Sequence, residues 1–94
     1  MDSPILTKSI TGDAQITTKA CYLVGVELSH NAADTILIIY DEDDGGKTDA
    51  KKVVTLRTSV EQQDTSRMFP LPGIKCIGLY ADYDAGIGTV YYYY

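Results

Sequence analysis

Tryptophan is absent from the 94 residues, and Phe69 and His30 are the only phenylalanine and histidine. Two cysteines, Cys21 and Cys76, are too few for a disulfide scaffold. Each lies within an apolar run, where a free thiol behaves as a small hydrophobe. No stretch approaches the ~18 consecutive apolar residues of a membrane span. Met1-Asp2-Ser3-Pro4 lacks the cationic start and apolar core of a secretory signal. Synthesis in the cytosol with both thiols reduced is therefore expected, with a Cys21–Cys76 bridge as the alternative. Cations are also scarce: eight Lys and Arg stand against thirteen Asp and Glu, a net charge of −5. Binding to nucleic acid or anionic lipid rests on clustered cations, and Lys51-Lys52 is the nearest approach to a cluster. Neither partner is expected.

What the chain does contain is an ordinary globular balance, 45% hydrophobic and 22% charged. Its length allows one core, burying about 60–70% of the unfolded surface. The aromatic content is concentrated in eight tyrosines, and Tyr91-Tyr92-Tyr93-Tyr94 close the chain.

The dominant hydrophobic period is two. Across Ala20 to Leu28, Tyr22, Val24, Val26 and Leu28 form one face and Cys21, Leu23, Gly25 and Glu27 the other, which reads as a strand with one face on the core. Asp34 to Asp41 is a near-continuous β-branched and aromatic run, expected as a central strand covered on both sides. Ser29-His30-Asn31-Ala32-Ala33 is a connection of hairpin length. Further strands are expected at 51–58, 74–81 and 89–94, with a weaker one at 14–19 and an edge strand at 67–69. Ser59-Val60-Glu61-Gln62 matches a capping box, but the residues after it offer no apolar stripe, so a polar loop is favoured over a helix. Residues 1–12, with Pro4, Ile5, Leu6 and Ile10, read as an extended arm, packed along its own domain or reaching to a neighbour. Residues 13–94 form the domain. The expected architecture is all-β: an antiparallel sandwich, jelly-roll-like, with seven or eight short strands.

Few residues are arranged for chemistry. His30 falls in a turn, the cysteines lie inside apolar strands, and no serine occupies a Gly-x-Ser-x-Gly turn. No catalytic residue and no cofactor is assigned. The acidic loop Asp41-Glu42-Asp43-Asp44-Gly45-Gly46-Lys47-Thr48-Asp49 is the most ligand-like feature, with Asp41, Asp43, Asp44 and Asp49 as candidate Ca²⁺ ligands. The EF-hand pattern fails there, because Gly45 and Lys52 occupy positions where acids are needed. The favoured reading is a solvated connection with glycines at its tip. Asp82-Tyr83-Asp84 with Ala85-Gly86-Ile87-Gly88 reads as a hairpin turn, since acids there repel phosphate and no helix follows.

Alternation lets two of the four closing tyrosines join the core and leaves the other two outward, with the terminus, needing cover. The residues expected at a protein interface are Ile5, Leu6, Ile10, Tyr91, Tyr92, Tyr93 and Tyr94.

The stretches Tyr22-Leu23-Val24-Gly25-Val26, Ile38-Ile39-Tyr40-Asp41, Pro70-Leu71-Pro72-Gly73-Ile74, Gly78-Leu79-Tyr80 and Gly88-Thr89-Val90-Tyr91-Tyr92 carry a resemblance. Laid out as strands, the chain resembles small all-β bacteriophage virion proteins, the head-decoration (cement) or head-fibre-like kind. It departs from them in its four-tyrosine ending and its acidic loop. The resemblance implies a non-enzymatic structural protein on the capsid exterior, made in the host cytoplasm. It further implies a homo-oligomer, a trimer favoured, seated on the major capsid protein. The rivals are a carbohydrate-binding module of a tail or fibre, using Tyr80, Tyr83 and the terminal tyrosines, and a Ca²⁺-dependent adhesion domain.

Overall fold

A computed structural model describes residues 4–29, 35–45, 47–59, 64–84 and 86–94. Nine strands make up the described fold: β1 Leu6–Ile10, β2 Ala14–Thr17, β3 Cys21–Ser29, β4 Thr35–Tyr40, β5 Lys52–Thr58, β6 Asp64–Met68, β7 Ile74–Cys76, β8 Leu79–Tyr83 and β9 Ile87–Tyr93. They form two antiparallel sheets packed as a sandwich. One runs β1-β9-β3-β6, with β7 also paired to β3, and the other runs β2-β8-β4-β5. We call them sheet A and sheet B. A single 3-10 turn, Asp49–Lys51, precedes β5. His30 and the capping-box residues Val60 to Gln62 lie outside the described residues.

The core forms where the inner faces meet. Ile10, Leu23, Val26, Leu28 and Val90 of sheet A pack with Leu37, Ile39, Leu56 and Leu79 of sheet B, all essentially sealed from solvent. Each such side chain contributes about 1.5–3 kcal/mol through the apolar surface it removes from water. The buried hydroxyls of Thr35 and Thr58 satisfy each other by a hydrogen bond across the β4–β5 ladder.

Sheet A departs from simple alternation in its central strand. Opposite β9, Leu23 pairs with Tyr92 and Gly25 with Tyr91, so the register slips by one residue at Val24. This is a β-bulge, and it turns the strand over midway. Before it, Cys21 and Leu23 face the core; after it, Val26 and Leu28 do. The simple alternation expected to keep Tyr22, Val24, Val26 and Leu28 on one face is therefore corrected. Tyr22 points outward, and Val24 is the extra residue, its carbonyl accepting the Phe69 amide at 2.9 Å. Gly25 lies beside it, and a Cβ there would fall 2.0 Å from the Met68 sulfur, so a larger residue would have to displace that exposed side chain.

Three other expectations change. Of the two courses open to the arm of residues 1–12, the chain takes the one along its own domain, and Leu6–Ile10 go further, pairing along their whole length with β9 as an edge strand of sheet A. Ile10 closes that strand inside the core at 1% exposure. The run 74–81 divides at Ile77-Gly78 into β7 of sheet A and β8 of sheet B. The chain crosses between the sheets there, so close to the acidic loop that a Cβ on Gly78 would lie 2.7 Å from the Glu42 carbonyl oxygen. These two changes raise the strand count to nine without altering the class. β4 is central in sheet B, as expected, yet its outer residues Ile36 and Ile38 are half-buried rather than fully covered.

The edges of sheet A are guarded. Lys8 of β1 and Arg67 of β6 stand opposite the inward residues Val90 and Val26, but lie far enough out to reach water. A cation on the inner side of an edge strand penalises continuation of the sheet by another strand.

The bulge yields a direct contrast. Leu23→Ala should cost about 2–5 kcal/mol of unfolding free energy, as expected of a sealed core leucine. Val24→Ala should cost less than half as much. Denaturant melts of the two variants check this, and similar losses would mean that β3 keeps simple alternation.

Candidate functional site

The outward rows of sheet A follow from the register. Directly opposite residues of an antiparallel ladder project from the same face. Tyr93 of β9 therefore stands beside Tyr22 of β3, which in turn stands beside Lys75 of β7. In the next row lie Thr7, Tyr91, Gly25 and Met68, and beyond it Ser9, Thr89, Glu27 and Ser66. The result is a face with tyrosines at one end and hydroxyls with a carboxylate at the other.

The tyrosines are held in place by their own bonds. The rings of Tyr22 and Tyr93 stack with centroids 5.1 Å apart and planes inclined by 19°. The Tyr93 hydroxyl donates to the Pro72 carbonyl at 2.6 Å, tying the ring to the Pro70–Gly73 turn. That turn is closed by the Gly73 amide on the Pro70 carbonyl and contains a cis peptide at Leu71-Pro72. Gly73 has φ +93°, a conformation that excludes most side chains. The Tyr91 hydroxyl donates to the Glu27 carboxylate at 2.6 Å. Around these rings the apolar side chains of Leu71, Met68 and Ile5 are more than half exposed.

Past Tyr91 the face opens into a groove of about 660 Å³, floored by Glu27, Ser29, Ser66 and Thr89 and bordered by Asp64 and Ile87. Its lining is mixed, the carboxylates of Glu27 and Asp64 and several hydroxyls beside the apolar Ile87.

Of the residues expected at an interface, the structure splits the set. Tyr91 and Tyr93 lie on the outward face, as alternation requires, and Ile5 is exposed beside β1, whereas Leu6, opposite Tyr92, sits on the inner side of that edge strand and is only partly covered. Ile10 and Tyr92 belong to the core, at 1% and 8% exposure, and offer no surface to a neighbour. This corrects their assignment: each is held inward by the β1–β9 ladder, where Ile10 pairs with Gly88 and Tyr92 with Leu6. Tyr94 is on the inner side too. It packs edge-on against Tyr92, bonds its hydroxyl to that of Thr17 at 2.7 Å and lies under the Lys19 ammonium. Although 47% exposed, it closes the end of the sandwich.

The face also includes Tyr22, Glu27, Ser66 and Met68, which sequence reasoning left out. The missed signal was Gly25, since a glycine inside a strand marks a bulge. With the bulge placed there, Tyr22 moves to the side of Tyr91 and Tyr93.

The acidic loop is a different kind of structure. It folds back on sheet B and is tied down by contacts within the chain. The Asp41 amide donates to the Lys51 carbonyl, and its carboxylate accepts the Ile77 amide at 2.7 Å. The Gln15 side-chain nitrogen lies 2.8 Å from the Glu42 carbonyl and 2.9 Å from that of Leu79. Lys47 reaches Asp13 at 3.1 Å and Asp82 at 3.4 Å, with its ammonium over the Tyr80 ring. The Asp13 carboxyl also accepts the Tyr83 amide, and that bond, with the Lys47 contact, holds it below the usual carboxylate range. Asp49 pairs with Lys52. Among the described residues, Asp41, Asp43, Asp44 and Asp49 do not converge, and no three His, Cys, Asp or Glu side chains form a group that could hold a metal ion. Tyr80 and Tyr83, the other proposed sugar platforms, belong to β8. Tyr83 gives its hydroxyl to the Gly86 carbonyl.

No family model matches the chain, and neither does any curated protein or solved structure.

The Tyr91–Glu27 bond sets a pH dependence. The hydrogen bond, followed by lost hydration and the Glu27 charge, raises the Tyr91 phenol above the usual tyrosine range. A raised value favours the fold while the phenol is protonated in both states. That contribution is present below about pH 10, the unfolded value, and is lost as pH rises through the folded one. Glu27→Gln should move one late-titrating phenol to lower pH in a tyrosinate absorbance titration. A curve superimposed on that of the parent protein would show that the charge has no hold on Tyr91.

Proposed function

We propose that this chain is a non-enzymatic virion structural protein of a bacteriophage, a capsid decoration protein that seats the outer face of sheet A on the major capsid protein. The observation that carries the reading is the stacked Tyr22–Tyr93 pair, pinned through Pro72, with Leu71, Met68 and Ile5 exposed in the adjoining segments. Aromatic rings fixed before contact lose little conformational freedom on binding, so most of the apolar area they bury appears as affinity. Tyr93 also tolerates either state, wet before docking and dry after it, because its hydroxyl already has an internal partner.

Such a protein acts by mass action. Binding assembled shells but not separated subunits, it raises the free energy of disassembly. Homo-oligomeric presentation, with a trimer favoured, would let several modest contacts act together. The acidic surface suits a position on the exterior, away from packaged DNA.

The second reading, a carbohydrate-binding or adhesion module of a tail or fibre, draws on the groove beside Tyr91. Glu27 and the hydroxyls of Ser29, Ser66 and Thr89 are groups that pair with sugar hydroxyls. A glycan array separates the two, because a decoration protein should show no sugar preference.

The test of the main reading is co-sedimentation with shells assembled from major capsid protein. The double variant Tyr22→Ser, Tyr93→Ser should lose at least about 30-fold in affinity, the scale of an interface anchor. Arg57→Ala, on the outer face of sheet B, should bind as the parent does. Parent-like binding by the tyrosine variant would overturn the assignment of this face.

A further inference from the structure

β7 is the shortest strand, Ile74–Cys76, and it pairs with β3 alone at the edge of sheet A. Its last residue, Cys76, is the direct partner of Cys21, the first residue of β3. Both side chains point into the core, each at 2% exposure and in the same apolar cluster. Neither is in a disulfide. The one hydrogen bond shown by either thiol is a long one, Cys76 Sγ donating to the Ile74 carbonyl at 3.5 Å.

Directly opposite residues of an antiparallel pair have Cα atoms about 4.5–5.5 Å apart, and their Cβ atoms are spaced similarly. Disulfides span about 4.4–6.8 Å between Cα atoms and about 3.5–4.5 Å between Cβ atoms. The Cα spacing is thus already suitable, and the Cβ atoms need only close by about 1 Å. A three-residue edge strand can supply that shift, since it has no partner on its other side to hold it back.

We propose that Cys21 and Cys76 form a cross-link site, oxidised to an intramolecular disulfide that fastens β7 to β3 beneath the Tyr22–Tyr93 pair. This inference does not depend on the function proposed above. The oxidant is a small-molecule disulfide such as oxidised glutathione. One cysteine, as thiolate, attacks the oxidant and releases one thiol, leaving a mixed disulfide on the protein. The second thiolate then attacks the protein sulfur of that bond and releases the other thiol. Two protein thiols are oxidised, one small disulfide is reduced to two thiols, and the two protons pass to those leaving thiolates.

Burial, with the Asp41 charge adding to it, raises Cys21 to about 11 and Cys76 to about 12. Thiolate is therefore scarce at neutral pH, and reaction requires β7 to open. The cross-link should form slowly and faster at higher pH, by up to about tenfold per unit while thiolate remains the minor form. A reducing cytosol keeps the pair open, whereas an oxidising exterior closes it. Closure would constrain residues 22–75 in the unfolded chain.

The full-length protein, incubated with oxidised glutathione at about pH 8 and alkylated in denaturant, tests this by intact mass. The expected product is a monomer about 2 Da lighter with no alkylated thiol. Its melting midpoint should be roughly 10–20 °C higher, returning on reduction. Cys76→Ala should show no oxidation-dependent rise. Two alkylated thiols after prolonged incubation, a persistent glutathione adduct or a disulfide-linked dimer would each overturn the proposal.

Discussion

The one-residue slip at Val24 is the constraint on which the rest of sheet A depends. β3 is the strand that pairs with β9 on one side and with both β6 and β7 on the other. A strand of nine residues with strict alternation would bury either Cys21 and Leu23 or Val26 and Leu28, but not both pairs. The bulge reconciles them, giving a continuous inner row from Cys21 to Leu28. It also decides the outer face, because the same turn of the backbone brings Tyr22 beside Tyr93. Gly25, next to the slip, leaves the space that the Met68 side chain occupies.

The two sheets are finished in opposite ways. Sheet B has one end overlaid by the acidic loop, which is tied to the rest of the chain: the Asp41 carboxylate accepts the Ile77 amide, the Glu42 carbonyl accepts Gln15, and Lys47 pairs with Asp13 and Asp82 outside the loop. Sheet A keeps its outer face open. The Tyr91 and Tyr93 hydroxyls are internally bonded while the rings and the neighbouring aliphatic side chains stay in contact with water. The asymmetry makes sheet A the side with apolar area still to bury. Guarded edges at Lys8 and Arg67 direct contact toward the face and away from strand addition.

Much of this was legible in the chain itself. The strands expected at 20–28, 34–41, 51–58 and 89–94 from period-two patterning are present within a residue or two of those bounds, the last beginning at Ile87 inside the expected turn, and both cysteines lie in apolar runs that proved to be core. The outward direction of Tyr91 and Tyr93 needed only alternation. Other features were not legible, for specific reasons. Leu6–Ile10 is mostly polar and exposed, so its burial pattern is that of an arm, and only the β9 ladder makes it a strand. The run 74–81 is continuous in hydropathy, yet Ile77-Gly78 carries the chain from one sheet to the other. Ile10 and Tyr92 looked like contact residues because each lies near an end of the chain, but the ladder turns both inward.

What the sequence determined by itself was the class and the material: an all-β chain with one core, a surplus of acid, and a tyrosine-rich end that alternation must divide between two faces. These follow from local properties, side-chain period and composition, which are the same wherever a strand ends up. Tertiary structure alone decided which residues share a face, which tyrosines are held still, and that Cys21 stands opposite Cys76. Those relations join positions far apart in the chain, and they depend on register. A slip of one residue reverses every side chain beyond it.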